Sequence, residues 1–499
     1  MLRTLLLPVF SLLLIVPAHS AAPSGRGALA RRMDRILATP QLNHGFWGVY
    51  VYSLTRRRVL YNHDGDHWFT PASNAKLFTL AAALQLLGPD FRFHTVLHAS
   101  AAPDANGVIA GDLVIEGVGD PSFGCRPYPY RPDPEPPALP CDPMLAPREL
   151  ARRLQARGVT RITGNIIGDA SYFRYIPYPP GWSIGDRIWD YGAPVSALTL
   201  NDNTRYLTIS PTAAGSPAQL RFDPALTPPG ESLETSILTT SAGGKTDLRI
   251  RLDPATNAPI LEGTIAADGK PLLETLAVRQ PALYAAALLR SVLQAAGIEV
   301  DGTARARLVP AVNAMPGYDL TTWDSPPLAQ ILQATAKVSQ NLEAELMLRV
   351  LGKLRGDTSL DELEAGRAVR REFLHNAGLD AGDADLVDGS GLARTDLVTP
   401  AGMVRLLRYM DARPDAATWR DLLPIAGEDG TLDHRFRGTA AAGRLRAKTG
   451  SLSHVNSLSG YVTTSRGERL AFSLLSNNVD RPASEVRAEL DKLALALMQ

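Results

Sequence analysis

The chain has 499 residues, of which 45% are hydrophobic and 20% charged, and its 51 basic residues are balanced by 51 acidic ones. That is ordinary globular composition, long enough for about two to four domains. Zero net charge leaves no electrostatic footprint for nucleic acid or an anionic membrane.

One bias is informative. Only seven of the basic residues are Lys and 44 are Arg. Arg cannot accept a proton in water, whereas a buried Lys can be tuned to do so, so each Lys draws attention.

In chain order, Arg3, the apolar run Leu5 to Val16 and the small residues of Ala18-His19-Ser20 read as a signal peptide over residues 1–20. The run is too short to span a bilayer. The alternative is an N-terminal anchor. No later segment reaches transmembrane length, so the mature protein is expected to be exported, soluble and periplasmic.

Trp47 to Leu54 alternates as a strand, Thr55 to Arg58 turns, and Val59 to Asn62 returns as a second strand. After Phe69-Thr70-Pro71-Ala72 comes Ser73. Asn74 to Leu87 is then almost uniformly apolar and stops at Gly88-Pro89. Such a helix belongs in the middle of a domain.

From about 95 to 310 short strands dominate, among them Gly111 to Gly117 and Thr160 to Gly168. Cys125 and Cys141 flank the Pro-rich stretch Arg126 to Pro140 and are expected to pair in an oxidising compartment. The chain-entropy model gives such a loop about 3 kcal/mol. Free thiols are the alternative. No further Cys or His lies close enough to complete a metal site.

Arg205 to Thr275 reads as a β-rich unit with turns at Pro228-Pro229-Gly230 and Gly243-Gly244, and Pro281 to Ala296 as a helix. From about 311 the chain is α+β again. Gln340 to Leu354 reads as an amphipathic helix, Pro400 to Met410 as another, and Gly443 to Thr449 as a strand. Ser457 to Thr464 and Glu468 to Asn477 form a hairpin, and Ser484 to Met498 closes as a helix.

Three short elements carry chemistry: Ser73-Asn74-Ala75-Lys76, Ser339-Gln340-Asn341 and Lys448-Thr449-Gly450. Ser73 and Lys76 are one helical turn apart and share a face. A serine hydroxyl needs an adjacent base, and burial or a helix N-terminus can lower a Lys pKa enough to supply one. Taken alone, Ser73 could be a helix N-cap with a surface Lys beside it, Ser339 an N-cap, and Lys448-Thr449-Gly450 a strand end. Together and in this order they match the signature of penicillin-binding proteins and serine β-lactamases.

With these residues the chain resembles the class C low-molecular-mass penicillin-binding proteins, a D-Ala-D-Ala carboxypeptidase/endopeptidase family. The run PASNAKLFTLAAALQLLGPDFRF from Pro71, DGSGLARTDLVTP from Asp388, GEDGTL from Gly427 and the stretch from Pro180-Gly181-Trp182 through Ala193-Pro194 are similar to that family too. Ser73 and Ser339 lie 266 positions apart (339 − 73), which in the resembling family reflects two extra domains, one nested in the other.

The resemblance implies an α+β fold, with a penicillin-binding/β-lactamase-like catalytic domain of antiparallel sheet flanked by helices. That domain would take residues 24–94 and 311–499. Inserted domain II would take 95–204 and 276–310, and the nested β-rich domain III 205–275.

It also implies roles. Ser73 attacks the penultimate D-Ala carbonyl and Lys76 takes its proton. Ser339 relays a proton to the leaving amine, and Asn341 binds the substrate amide and holds Lys76. Lys448, Thr449 and Ser451 receive the terminal carboxylate beside Gly450. The N–H groups of Ser73 and Ser451 form the oxyanion hole. Asp186 and Arg394 match the family's side pocket for a diaminopimelate chain, with Asp190 near Asp186 in sequence. Ser451 replaces the family's usual Thr and keeps the hydroxyl. The implied partners are peptidoglycan peptides and, as covalent inhibitors, β-lactams. No metal or organic cofactor is required.

Other readings are a β-lactamase or esterase on the same scaffold, or a non-catalytic wall-binding protein. A Ser-His-Asp hydrolase lacks its G-x-S-x-G elbow, because Asp388 stands where Gly would precede Ser390.

Overall fold

The computed structural model describes residues 27–39, 44–132, 141–226, 230–311 and 317–498. The expected signal peptide, the end of the Pro-rich stretch, Pro228-Pro229 and the start of the expected 311–499 segment beyond residue 311 lie outside the described residues.

The two ends of the chain build one antiparallel sheet. Its five strands run Leu445–Leu452, Val455–Thr463, Arg469–Asn477, Phe46–Ser53 and Arg58–His63. The N-terminal hairpin joins the C-terminal one through Phe46–Ser53 and Arg469–Asn477, with Val51 opposite Phe472.

Strand alternation divides the side chains between two cores. Trp47, Val49 and Val51 pack with Met33 and Leu490 from the terminal helices Ala28–Leu37 and Ala483–Ala496. Tyr52, Tyr461 and Ala471 face the larger core, with Phe78 and Met403. Full burial of one such Val or Phe is worth about 1.5–3 kcal/mol.

On that larger side, the helix Lys76–Leu87 packs against Leu328–Val338, Asn341–Arg355 and Glu362–Asn376. Every residue from Lys76 to Leu84 is buried, as its all-round apolar sequence requires. Gly352 and Gly366 let the last two helices meet backbone to backbone, since a Cβ at either would collide with the other helix's carbonyls.

The segment between Leu87 and Leu328 has its own layers. A second five-stranded sheet runs Ala304–Arg307, Ile166–Asp169, Leu113–Glu116, His94–Ala99 and Tyr318–Asp324. Tyr318–Asp324, within the expected 311–499 segment, therefore belongs to this sheet. Residues 204–277 form two three-stranded sheets around a small core of Ile188, Leu207, Ile209, Ile237, Leu261, Ile265 and Leu276. Cys125 and Cys141 are bonded, with Cα atoms 5.6 Å apart.

The structure corrects three expectations. Thr160 to Gly168 is not one strand. Arg161–Ile162 and Ile166–Asp169 lie in different sheets, parted where Gly164 passes so close to Gly111 that a Cβ would collide. The helix expected over Gln340 to Leu354 is not amphipathic in place. Residues from Asn341 to Gly352 are all buried, because helices and the inserted segment cover both faces, so Glu343, Glu345 and Arg349 find polar partners inside. Lys448-Thr449-Gly450 does not end a strand, because pairing continues to Leu452 opposite Val455.

Five of the described helices have no counterpart in the expectations from sequence: Ala28–Leu37, Leu145–Ala156, Leu328–Val338, Glu362–Asn376 and Ala416–Leu422. Among the described residues, no helix is long and apolar enough to cross a membrane.

Candidate active site

Ser73 sits in a short 3-10 turn, Ala72–Ala75, that feeds directly into the helix Lys76–Leu87. Ala72 is held at φ 49, a left-handed conformation that costs a non-Gly residue energy and recurs at functional sites.

The turn is braced by Gly391, whose φ is +82 and whose Cα lies against the Ala72 carbonyl. Gly391→Ala adds a Cβ that collides with that oxygen, in a backbone conformation hostile to Ala. It is expected to destabilise the protein by about 3 kcal/mol, read as a lower denaturant midpoint. An unchanged midpoint would show that the turn can give way.

Lys76 is wholly buried. Its Nζ contacts three oxygens: Ser73 Oγ at 2.9 Å, Asn341 Oδ1 at 2.5 Å and the Ser390 carbonyl at 2.7 Å. Burial pulls its pKa down to about 7, opposed by the charges of Asp388, Glu345 and Asp396.

Ser339 closes the helix Leu328–Val338 in a left-handed conformation, φ 64. The N-cap of the next helix is Gln340, whose side chain accepts from the Leu342 N–H. Ser339 Oγ is thus free of capping duty and accepts from Lys448 Nζ at 2.7 Å. Lys448 is also wholly buried and donates to the Thr449 carbonyl at 2.8 Å. Burial, then repulsion from Lys76, holds it well below its ordinary pKa.

Asn341 donates through Nδ2 to the Tyr191 carbonyl at 2.7 Å, so the inserted segment reaches the site's first helical turn. Gly450 lets its strand lie against the Ser73 turn; a Cβ there would stand 2.9 Å from the Ser73 nitrogen. Thr449 Oγ1 donates to Thr431 Oγ1 at 2.8 Å, and Ser451 Oγ donates to Asn456 Oδ1 at 3.3 Å.

A cavity of about 480 Å³ opens over this cluster, with Ser73, Ser339, Asn341 and Ser451 on its wall. Asp186 and Arg394 stand on the same wall, while Asp190 does not reach it. Burial raises the Asp186 carboxyl, opposed by the Tyr191 hydroxyl at 3.5 Å, by Ser183 and by the Arg394 charge. Lys76, Lys448, Thr449 and Gly450 lie behind the wall rather than on it.

The site also uses residues that the three motifs did not single out. Tyr191 and Ser390 hold Asn341 and Lys76 by backbone carbonyls, which carry no side-chain signal. Thr431 and Asp388 were visible only as parts of the segments from Gly427 and Asp388.

Known proteins resemble this chain over most of its length. The model of the D-Ala-D-Ala carboxypeptidase 3 (S13) family matches residues 29–497. The D-alanyl-D-alanine carboxypeptidase of Actinomadura sp. (strain R39) is 34% identical over 490 residues, spanning 96% of this chain and 86% of that protein. The crystal structure of penicillin binding protein 4 from Haemophilus influenzae matches with a TM-score of 0.77 at 25% identity, covering 93% of this chain and 98% of that one. The same protein complexed with a novel β-lactam gives a TM-score of 0.72, also at 25% identity. The fold is thus the α+β penicillin-binding fold.

Proposed function

The chain belongs to the D-Ala-D-Ala carboxypeptidase 3 (S13) family, and on that premise we propose that the Ser73 cleft carries out its acyl transfer. The enzyme is a serine-type D-Ala-D-Ala carboxypeptidase acting on peptidoglycan stem peptides through an acyl-enzyme, and β-lactams acylate it.

The observation that carries the assignment of residues is the environment of Lys76. Two carbonyl oxygens, from Asn341 and Ser390, engage two of its N–H groups. In the neutral amine, the remaining position is a lone pair aimed at Ser73 Oγ. A buried amine with a pKa near 7 is half deprotonated at neutral pH, which suits a general base.

Ser73 Oγ then attacks the carbonyl carbon of the penultimate D-Ala and passes its proton to Lys76. Backbone N–H groups of Ser73 and Ser451 receive the oxyanion. The C–N bond breaks as Ser339 relays to the leaving amine the proton that Lys76 took from Ser73, with Lys448 Nζ donating to the Ser339 hydroxyl. Water hydrolyses the ester and frees Ser73. Ser451 on the cavity wall receives the terminal carboxylate, with Thr449 and the positive potential of Lys448 behind it, and Gly450 keeps that strand close. Asp186 and Arg394 flank the stem-peptide side chain, where a carboxylate would pair with a free amine.

When the leaving amine belongs to a cross-bridge rather than to free D-Ala, the same steps give endopeptidase activity. The catalytic unit comprises 24–94 and the chain from Leu328 onward rather than from 311, because Tyr318–Asp324 pairs in the sheet of the insertion; 95–204 plus 276–310 and 205–275 are the nested insertions. Export to the periplasm through the 1–20 leader fits both a wall substrate and the Cys125–Cys141 bond, which an oxidising compartment favours.

Digestion of purified peptidoglycan tests the proposal. Loss of single alanines is expected from carboxypeptidase action, and conversion of cross-linked dimers to monomers from endopeptidase action. Products identical to the undigested control would overturn it. Rapid penicillin turnover without a lasting adduct would point instead to a β-lactamase.

A further inference from the structure

Behind Lys76 lies a buried pair of carboxyl groups that the acyl-transfer steps do not use. Asp388 and Asp396 are both wholly buried, so neither can touch substrate.

Asp388 is saturated with donors. Its carboxyl accepts from the backbone N–H groups of Ser390, Gly391 and Ala393 at 3.0, 2.6 and 2.8 Å. It also accepts from the Trp182 indole at 2.9 Å and the Ser390 hydroxyl at 3.3 Å. Only an ionised carboxylate, which is acceptor on both oxygens, satisfies all five.

Asp396 is different. Its Oδ1 accepts from the Val387 N–H at 2.7 Å, but Oδ2 is buried and has no N–H or O–H donor. The strongest charge acting on it is that of Asp388. Two neighbouring carboxylates in a dry site are not both charged. A proton on Asp396 Oδ2, donated to Asp388, would give that orphaned oxygen a partner.

We propose that Asp388 and Asp396 form a positioning pair sharing one proton, which holds the turn Asp388 to Ala393 so that the Ser390 carbonyl and one negative charge stay on Lys76. The Trp182 indole ties the same turn to the inserted segment, next to Gly181 and Ser183 on the substrate cavity. The titration directions agree. Burial and the neighbouring Asp388 charge push Asp396 well up. For Asp388 burial also pushes upward, but the hydrogen bonds from Asp396, Gly391, Trp182 and Ala393 outweigh it and hold the carboxyl low.

Other charged groups surround Lys76. Glu345, on the helix Asn341–Arg355, is raised to about 7 by burial and then by Asp388. Lys448 approaches from the sheet, and Arg349 and Arg370 back the carboxylates.

The test measures acylation by a fluorescent penicillin against pH in the full-length protein. Asp388→Asn presents N–H to backbone N–H and removes the main charge opposing Lys76's burial. Acylation is expected to fall by about 100-fold, with the acid limb moving down by about one pH unit. Asp396→Asn still donates to Asp388 and accepts from Val387, so it is expected to lose no more than about threefold, whereas Asp396→Leu, which cannot donate, loses at least about tenfold. Glu345→Gln, measured alongside, removes that carboxyl's titration from the comparison.

Equal damage in Asp388→Asn and Asp396→Asn, or an unmoved acid limb in Asp388→Asn, overturns the inference. If Asp388→Asn does not fold, the contrast between Asp396→Asn and Asp396→Leu decides alone. The inference rests on Lys76 as base. Failure of that reading leaves Lys76→Arg acylating normally, whereas failure of this one leaves Lys76→Arg inactive and the two Asn variants alike.

Discussion

Ser73→Ala is expected to eliminate covalent labelling by penicillin and to lower D-Ala release by at least about 10⁴-fold. In the proposed mechanism the acyl-enzyme is an ester of Ser73 Oγ, and no other hydroxyl can replace it. Ser339 is the nearest candidate by sequence logic, but its Oγ is engaged by Lys448 rather than by Lys76. The variant should still fold. Removing a hydroxyl from the cleft takes away one contact of a buried Lys and no core packing, so the melting temperature should stay within about 3 °C of the parent, or rise. A labelled band of parental intensity in a well-folded Ser73→Ala protein would remove the nucleophile from the proposal.

The second large effect concerns Lys76, where charge and basicity can be separated. Lys76→Arg keeps the positive charge but cannot accept a proton, and is expected to slow acylation by about 10³–10⁴-fold. In the parent, burial brings the Lys76 ammonium down to about 7. The neutral amine is the working form, so the sign is fixed. Acylation should be slow at low pH, rise through the region near 7 and level off above it. A rate constant flat between about pH 5.5 and 8.5 would mean that Lys76 does not titrate in the catalytic step. Lys76→Arg acylating at the parental rate would mean that it supplies only field.

Much of this site was legible in the chain. The hairpin of Trp47 to Leu54 and Val59 to Asn62 folded as Phe46–Ser53 and Arg58–His63, because strict alternation leaves one face for each core. The apolar run after Ser73 folded as a helix buried along most of its length, because no polar face existed to meet water. Lys76 and Lys448 stood out in an Arg-dominated chain, and both are wholly buried.

Other features gave no local signal. The Asn341–Arg355 helix carries Glu343, Glu345, Arg349 and Lys353, which reads as a polar face. Burial of the first three becomes tolerable only because Thr335, Gly389 and Ile176, from other parts of the chain, satisfy them. Thr160 to Gly168 reads as one strand until Gly164 has to pass Gly111.

The sequence by itself determined the chemistry on offer and the order of elements, because nucleophile, base and strand motifs are local patterns of residue type and period. The tertiary structure alone decided which groups meet. Lys76 and Asn341 touch across 265 residues, Trp182 reaches Asp388 across 206, and the Asp388–Asp396 pair has meaning only once both are dry. Burial and the pKa values it moves depend on everything that surrounds a side chain, and no stretch of neighbouring residues encodes that.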